Sequence, residues 1–349
     1  MISLAISCQT VTAQDVTLKI DSMMRALADS SKFSGSVLVS DGDAVVYKRA
    51  YGYSDLGRNK RNNTSTKFRI GSLTKQFTAL LIMQLVEEGR VSLDDKVTQY
   101  LPVLSLNTTA TIKQLLHQTS GITDYTEMEA CIPAINKPSV TPWLLADCFN
   151  LLEEEFTPGT QFSYSNTNYY LLGLVIEKVT NKSFGAVLNE KILRPLKMKN
   201  TGYITSRSKG FAKGYGLAGN NLVESTIIDY DIAYAAGGMY STVEDLYKWH
   251  TSLTTDKLLT QESLEQIFAQ NDEVDPSYYG FGWFVEDNYW KFETSRAFHE
   301  GGIDGFSACI DRYPAEGICI VVLSNFEFVE SRVDVADPIA QIIFDSKAN

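Results

Sequence analysis

The chain has 349 residues, 44% of them hydrophobic and 21% charged, with 17 Phe, 18 Tyr and 4 Trp. That composition excludes extensive disorder and supports a sizeable core, at a length suited to one large two-lobed domain or to two domains. Lys and Arg number 31 against 42 Asp and Glu, and the resulting net charge of −11 argues against nucleic acid or an anionic membrane surface as the main partner.

The first fourteen residues, MISLAISCQTVTAQ, carry no charged side chain. They read as the tail of a secretory signal or as a disordered leader; the first reading is preferred and predicts a secreted or periplasmic protein, with Cys8 a candidate for lipid attachment. No apolar run approaches the ~20 residues that cross a bilayer. Val16–Ala28 has helical periodicity. Gly35–Tyr53 predicts a hairpin turning at Asp41-Gly42-Asp43, because Asp-Gly between two β-rich runs is a strong local signal. Ser72–Glu88 predicts an apolar helix closed by Gly89, and Asn168–Thr180 a second helix. Phe211–Thr226 predicts a hairpin turning at Gly219-Asn220-Asn221. Ser307–Tyr313 and Ile318–Ser324 predict strands joined by the turn 314–317, followed by a helix over about Val333–Phe344. The widely spaced Cys131, Cys148, Cys309 and Cys319 are expected to be buried free thiols. Strands at both ends with helices between predict the α+β class. One antiparallel sheet is built from both chain ends and flanked by helices, with a mainly helical lobe inserted over about 93–200. Residues 15–349 then form a single domain behind a leader at 1–14.

Three short stretches could carry chemistry. In Ser72-Leu73-Thr74-Lys75 the serine could simply cap a helix. A lysine three residues on, however, opposes the helix dipole, where a capping box would place Glu or Gln. Residues i and i+3 share a face, so Lys75 can reach and activate the Ser72 hydroxyl. Tyr164-Ser165-Asn166 is either a polar loop ahead of a helix or a phenol and an amide beside that nucleophile. The phenol can act as a base only if a cation such as Lys75 favours its ionised form. His299-Glu300-Gly301-Gly302 is either a glycine-rich bend before a strand or an edge along which a substrate can lie. In the second case the Gly302 N–H could join that of Ser72 to hold an oxyanion.

In this order and spacing the three motifs resemble the serine β-lactamase and penicillin-binding-protein superfamily, in its class C β-lactamase and D-Ala-D-Ala carboxypeptidase-like branch. LLHQTSGITDY (115–125), ILRPLKMKNTGY (192–203) and AAGGMYSTVEDLYKW (235–249) extend the resemblance over nearly the whole chain. It implies a serine hydrolase that forms an acyl-enzyme on an amide, lactam or ester carbonyl. Ser72 would be the nucleophile, Lys75 its activating partner and Tyr164 the general acid–base, with Lys75 and Tyr164 titrating as a pair. Asn166 would bind the substrate amide, and His299 would assist Tyr164 and orient the substrate beside Gly301 and Gly302. The implied partner is a small molecule or peptide: a peptidoglycan-like peptide, a β-lactam or an ester. Neither metal nor cofactor is implied, and oligomeric state is not legible.

Glu300 departs from the family, which usually places Thr or Ser there. Facing the site, it would repel a substrate carboxylate and shift the odds from a potent β-lactamase toward carboxypeptidase, amidase or esterase activity; facing away, it would do nothing. A catalytically idle relative that binds peptidoglycan is the alternative of a different class. Gly214–Gly219 fits a dinucleotide G-x-G-x-x-G but lacks its strand–helix context, so a hairpin is preferred. His117 and His250 read as structural, and the tyrosine pairs 169–170 and 278–279 as core or rim.

Overall fold

The computed structural model describes residues 13–131, 141–151, 153–226, 230–271, 274 and 278–348. Nearly all of the leader, Cys8 included, lies outside them. The central sheet has six strands: β1 (Gly35–Asp41), β2 (Ala44–Tyr51), β3 (Phe284–Tyr289), β4 (Thr294–Ile303), β5 (Phe306–Tyr313) and β6 (Ile318–Ser324). Their order is β3-β4-β5-β6-β1-β2, with every neighbouring pair antiparallel. The continuous apolar runs SVLVS and ICIVVLS explain why β1 and β6 lie inside the sheet rather than at its edges. A strand covered on both faces needs apolar side chains at successive positions. Leu38 of β1 pairs with Val321 of β6, which joins the two ends of the chain.

Five helices matter here: α1 (Ala13–Asp29), α2 (Thr74–Glu87), α3 (Asn166–Thr180), α4 (Val243–Ser252) and α5 (Asp337–Lys347). Successive side chains of a strand point to opposite faces, so the inner strands feed two cores. Val37, Val39, Ile320 and Tyr313 pack with Ile20 and Met24 of α1 and Ile339 of α5. Leu38, Ile310 and Val321 face the other way, onto Phe77 and Leu81 of α2, Tyr169 of α3 and Trp249 of α4. Phe77 stacks on Trp249 at 4.1 Å between ring centroids. Between residues 93 and 200 the regular elements among the described residues are helical, as the sequence predicts.

Two alternatives are ruled out and two expectations need correction. Ser72 does not cap α2: Gly71–Leu73 forms a 3₁₀ turn, and α2 starts at Thr74. The 211–226 hairpin turns on two residues, Gly219 and Asn220, since Ala218 pairs with Asn221. His299–Gly302 is the second half of β4 rather than a bend. Cys131 and Cys148 are joined in a disulfide, with Cα atoms 5.4 Å apart, while Cys309 and Cys319 are buried and free. The bridge forms because the helix Pro142–Phe149 packs back on the turn Glu129–Cys131. A separation of 17 residues reveals no such fold-back on its own.

Candidate active site

The turn Gly71–Leu73 lies directly against β4 with no side chain between them. A Cβ on Gly301 would sit 2.0 Å from the Ile70 carbonyl oxygen and 3.2 Å from the Ser72 nitrogen. One on Gly71, whose φ is +48°, would sit 2.7 Å from the Gly302 carbonyl oxygen. Glycine is therefore required on both sides of the contact. Gly71 and Leu73 are buried, whereas Ser72 stays partly exposed. The two-residue turn at 304–305 makes Ile303 and Phe306 the closing pair of β4 and β5. By alternation the Gly302 N–H points to the opposite edge, where β3 stops opposite Phe298. That edge carries the turn with Ser72.

Lys75, one helical turn into the run, is fully buried. Its Nζ donates to Ser72 Oγ at 3.0 Å, to Asn166 Oδ1 at 2.8 Å and to the Ala236 carbonyl at 2.9 Å. Burial pulls its pKa down to about 7, against a smaller upward pull from the Asp124 carboxylate. An amine half-deprotonated near neutral pH is therefore bonded to the serine hydroxyl. Tyr164 lies beside the pair, its ring centroid 4.8 Å from Lys75 Nζ. Burial raises its pKa, and a hydrogen bond with Ser72 only partly offsets this. Lys75 is thus suited to accept a proton, and the phenol to keep one.

Asn166 begins α3, and both ends of its amide are engaged. Oδ1 accepts from Lys75, while Nδ2 and the backbone N–H donate to Asp124 Oδ2 at 2.8 and 2.9 Å. It aims the lysine, where the sequence predicts a contact to substrate. His299 also departs from expectation. It is buried, with Nδ1 on the Glu300 carbonyl at 2.6 Å and Nε2 on the Tyr279 hydroxyl at 3.0 Å. Both ring nitrogens are engaged away from Tyr164, whose ring centroid is 6.1 Å away. Burial, helped by the Lys75 charge, lowers its pKa to about 3, so the ring is neutral. Tyr279 in turn packs edge-on to Tyr164 at 6.0 Å, so His299 supports the phenol's wall through Tyr279.

Glu300 points to the other side of the sheet. Strand alternation sends it toward α5, where Oε2 accepts from Arg332 Nε at 2.9 Å. The expected repulsion of a substrate carboxylate by Glu300 is not built into this site. Gly301 packs against the Ile70–Ser72 backbone, whereas a Cβ on Gly302 would meet nothing within 4 Å.

Sequence reasoning missed two participants. Asp124 lies in the quoted stretch 115–125 but 42 positions from Asn166, and no spacing rule links them. Tyr234 has φ 40° and ψ −131°, a backbone strain of about 1–3 kcal/mol for a residue with a Cβ. Rings of Tyr170 and Phe184 hold it, at 4.8 and 5.5 Å. The kink presents two successive carbonyls to α2: Ala235 to Thr78 Oγ1 at 2.7 Å, and Ala236 to Lys75. His117 bonds the Tyr279 carbonyl, His250 accepts from Arg312, and Tyr169 and Tyr170 are core.

Residues 20–343 match the family model described as Beta-lactamase. The chain belongs to the beta-lactamase family. Its fold is that of serine hydrolases in this family and of their penicillin-binding relatives. The chain is 35% identical over 318 residues to Protein flp of Staphylococcus aureus, covering 86% of this chain but 61% of that protein. It therefore spans about three fifths of that relative's length. The octameric penicillin-binding protein homologue from Pyrococcus abyssi superposes with a TM-score of 0.80 at 28% identity, over 93% of this chain and 77% of the other. A D-stereospecific amidohydrolase from Streptomyces sp. does so with a TM-score of 0.75 at 28% identity, over 91% and 97%. Among the described residues no helix is long and apolar enough to cross a membrane.

Proposed function

We propose that residues 15–349 form one catalytic unit that hydrolyses amide or ester carbonyls through an acyl-enzyme on Ser72. The observation that carries this reading is the buried Lys75 amine, 3.0 Å from Ser72 Oγ with its pKa near 7. Neutral Lys75 takes the hydroxyl proton as Oγ attacks the carbonyl carbon. The N–H groups of Ser72 and Gly302 receive the developing oxyanion. Tyr164, kept protonated by burial, gives its proton to the departing nitrogen or oxygen, and the C–N or C–O bond breaks. Water then attacks the acyl carbon, losing its proton to the Tyr164 oxygen, and Ser72 regains a proton from Lys75.

The substrate class follows from charge. The neutral, buried His299 stands where the family's third motif usually places lysine, which leaves that position without an anion-binding cation. This supports acyl donors that lack a carboxylate, such as D-amino-acid amides and esters, over β-lactams, whose carboxylate needs a counter-charge. Kinship with the Streptomyces amidohydrolase favours the same choice. The Cys131–Cys148 bridge supports an oxidising, extracytoplasmic location, consistent with the signal-like leader.

Intact-mass measurement tests the reading. The full chain is mixed in parallel with a D-phenylalanine ester, D-phenylalanine amide and benzylpenicillin. Ester or amide turnover that disappears in Ser72→Ala supports it. A lasting penicillin adduct on Ser72 would instead favour carboxypeptidase-like recognition. No adduct and no turnover with any of the three would point to an idle, peptidoglycan-binding relative.

A further inference from the structure

Arg312 lies on β5, on the same face of the sheet as the Ser72 site, but at the other end of the strand. It pairs with Ala297 of β4 and Cys319 of β6, whereas Ser307 and Ala308 lie opposite Gly302 and Gly301. At about 3.4 Å per residue, that sets Arg312 some 13–17 Å along the strand from the nucleophile turn. Its side chain is 3% exposed. A guanidinium so deeply buried is ordinarily matched by a carboxylate, because a desolvated charge without one is costly. Here no carboxylate among the described residues pairs with it. Nε donates to His250 Nδ1 at 3.0 Å. The histidine is neutral, its pKa lowered to about 3 by burial and by the Arg312 charge itself. Two aromatic faces flank it, Phe268 at 4.8 Å and Trp283 at 5.5 Å from the guanidinium carbon. Burial pulls the arginine's own pKa down to about 10.

This cation borders a separate cavity of about 320 Å³. Leu253, Leu264, Phe268 and Val285 supply apolar wall. Two other charged types reach the lining without neutralising Arg312. Glu265 and Asp287 are exposed, and neither is ion-paired to it. The Arg296 side chain turns to the other face of the sheet, where it bonds Asp311 and Asp337.

The geometry points to this cavity as a binding site for a monocarboxylate with an apolar tail, its carboxylate on Arg312 and its tail along Leu253, Leu264 and Phe268. A planar guanidinium offers two parallel N–H donors to a carboxylate, and the aromatic faces hold it in one orientation. A medium-chain acid fits the volume. The site is independent of the Ser72 chemistry and does not require it.

Titration calorimetry of sodium octanoate into the full chain, with octan-1-ol as the neutral analogue, tests this. One octanoate is expected per chain, with Kd on the order of 0.1–1 mM, and octan-1-ol is expected to bind at least tenfold more weakly. Arg312→Met should weaken octanoate at least tenfold, while Ser72→Ala leaves it unchanged. Equal binding of acid and alcohol to the unmodified chain would overturn the site without relying on any variant. So would octanoate binding that survives Arg312→Met, that is lost in Ser72→Ala, or that never saturates.

Discussion

On the side of the sheet that carries α1 and α5, Arg296 bonds Asp311 through Nε and Nη2 at 2.8 and 2.7 Å, and Nη2 also reaches Asp337 at 2.7 Å. Arg332 nearby joins Asp337 to Glu300. These carboxylates outweigh burial and raise both arginine pKa values. On the opposite side Lys75 is just as deeply buried, but its direct partners are a hydroxyl, an amide oxygen and a backbone carbonyl. The nearest carboxylate, Asp124, acts through Asn166, and the amine's pKa falls to about 7. The difference is one of arrangement rather than burial. Direct carboxylates fix a cation permanently, as a structural tie. Neutral oxygens leave the lysine free to exchange its proton near neutral pH, which is what activating Ser72 demands.

The largest effect that would break this contrast is at Ser72. Ser72→Ala should lower turnover by about five to six orders of magnitude with the melting temperature unchanged, measured by ester hydrolysis and calorimetry. Tyr164→Phe should cost about two to four orders, because the leaving group loses its proton donor. On the other face the effect should be on stability. Arg296→Met strands the Asp311 carboxylate in the interior and should cost about 3–5 kcal/mol in denaturant unfolding, while activity per folded molecule stays.

The pH dependence sharpens the comparison. Acylation of Ser72 should rise about tenfold per pH unit below pH 7 and level off above it, as Lys75 loses its proton. Stability should also rise with pH, but over the next window, above pH 7 rather than below it. Below pH 7 Lys75 is charged in both folded and unfolded chains, and the fold carries the full cost of burying that charge. Between pH 7 and about 10.5 the unfolded chain binds a proton that the folded one does not, so the Lys75 contribution improves as pH rises. Asp124→Asn should shift the acid limb of the rate profile to lower pH, because a charge that favours protonated Lys75 is gone, and an unshifted limb would place Asp124 outside the network. The smallest effect belongs to Glu300→Gln, expected to change turnover less than about twofold, since that carboxylate faces Arg332 across the sheet.

How much of this was legible in the sequence depended on the range of the interaction. The i, i+3 pair Ser72 and Lys75 is local, and helix geometry alone brings the two together. The Asp-Gly hairpin of β1 and β2 is equally local. Tyr164 and the glycines at 301–302 were legible only as motifs shared with a family. Asp124 reaches Asn166 through tertiary packing, and Cys131 reaches Cys148 through a fold-back, so neither left a spacing to read. The orientation of Glu300 turned on strand parity, which could not be read while 299–302 stood open between a bend and a strand edge.

The pairing of β1 with β6 has a consequence for biosynthesis. Ser324 Oγ bonds the Ser34 carbonyl across 290 residues of chain. At about 5–20 residues per second, β1 waits some 15–60 s after it is made before its central partner exists. Until then an apolar strand and the turn carrying Ser72 have no sheet to close on. β1 can pair early with β2, but the site around Ser72 can be completed only after β4, β5 and β6 have been made, late in synthesis.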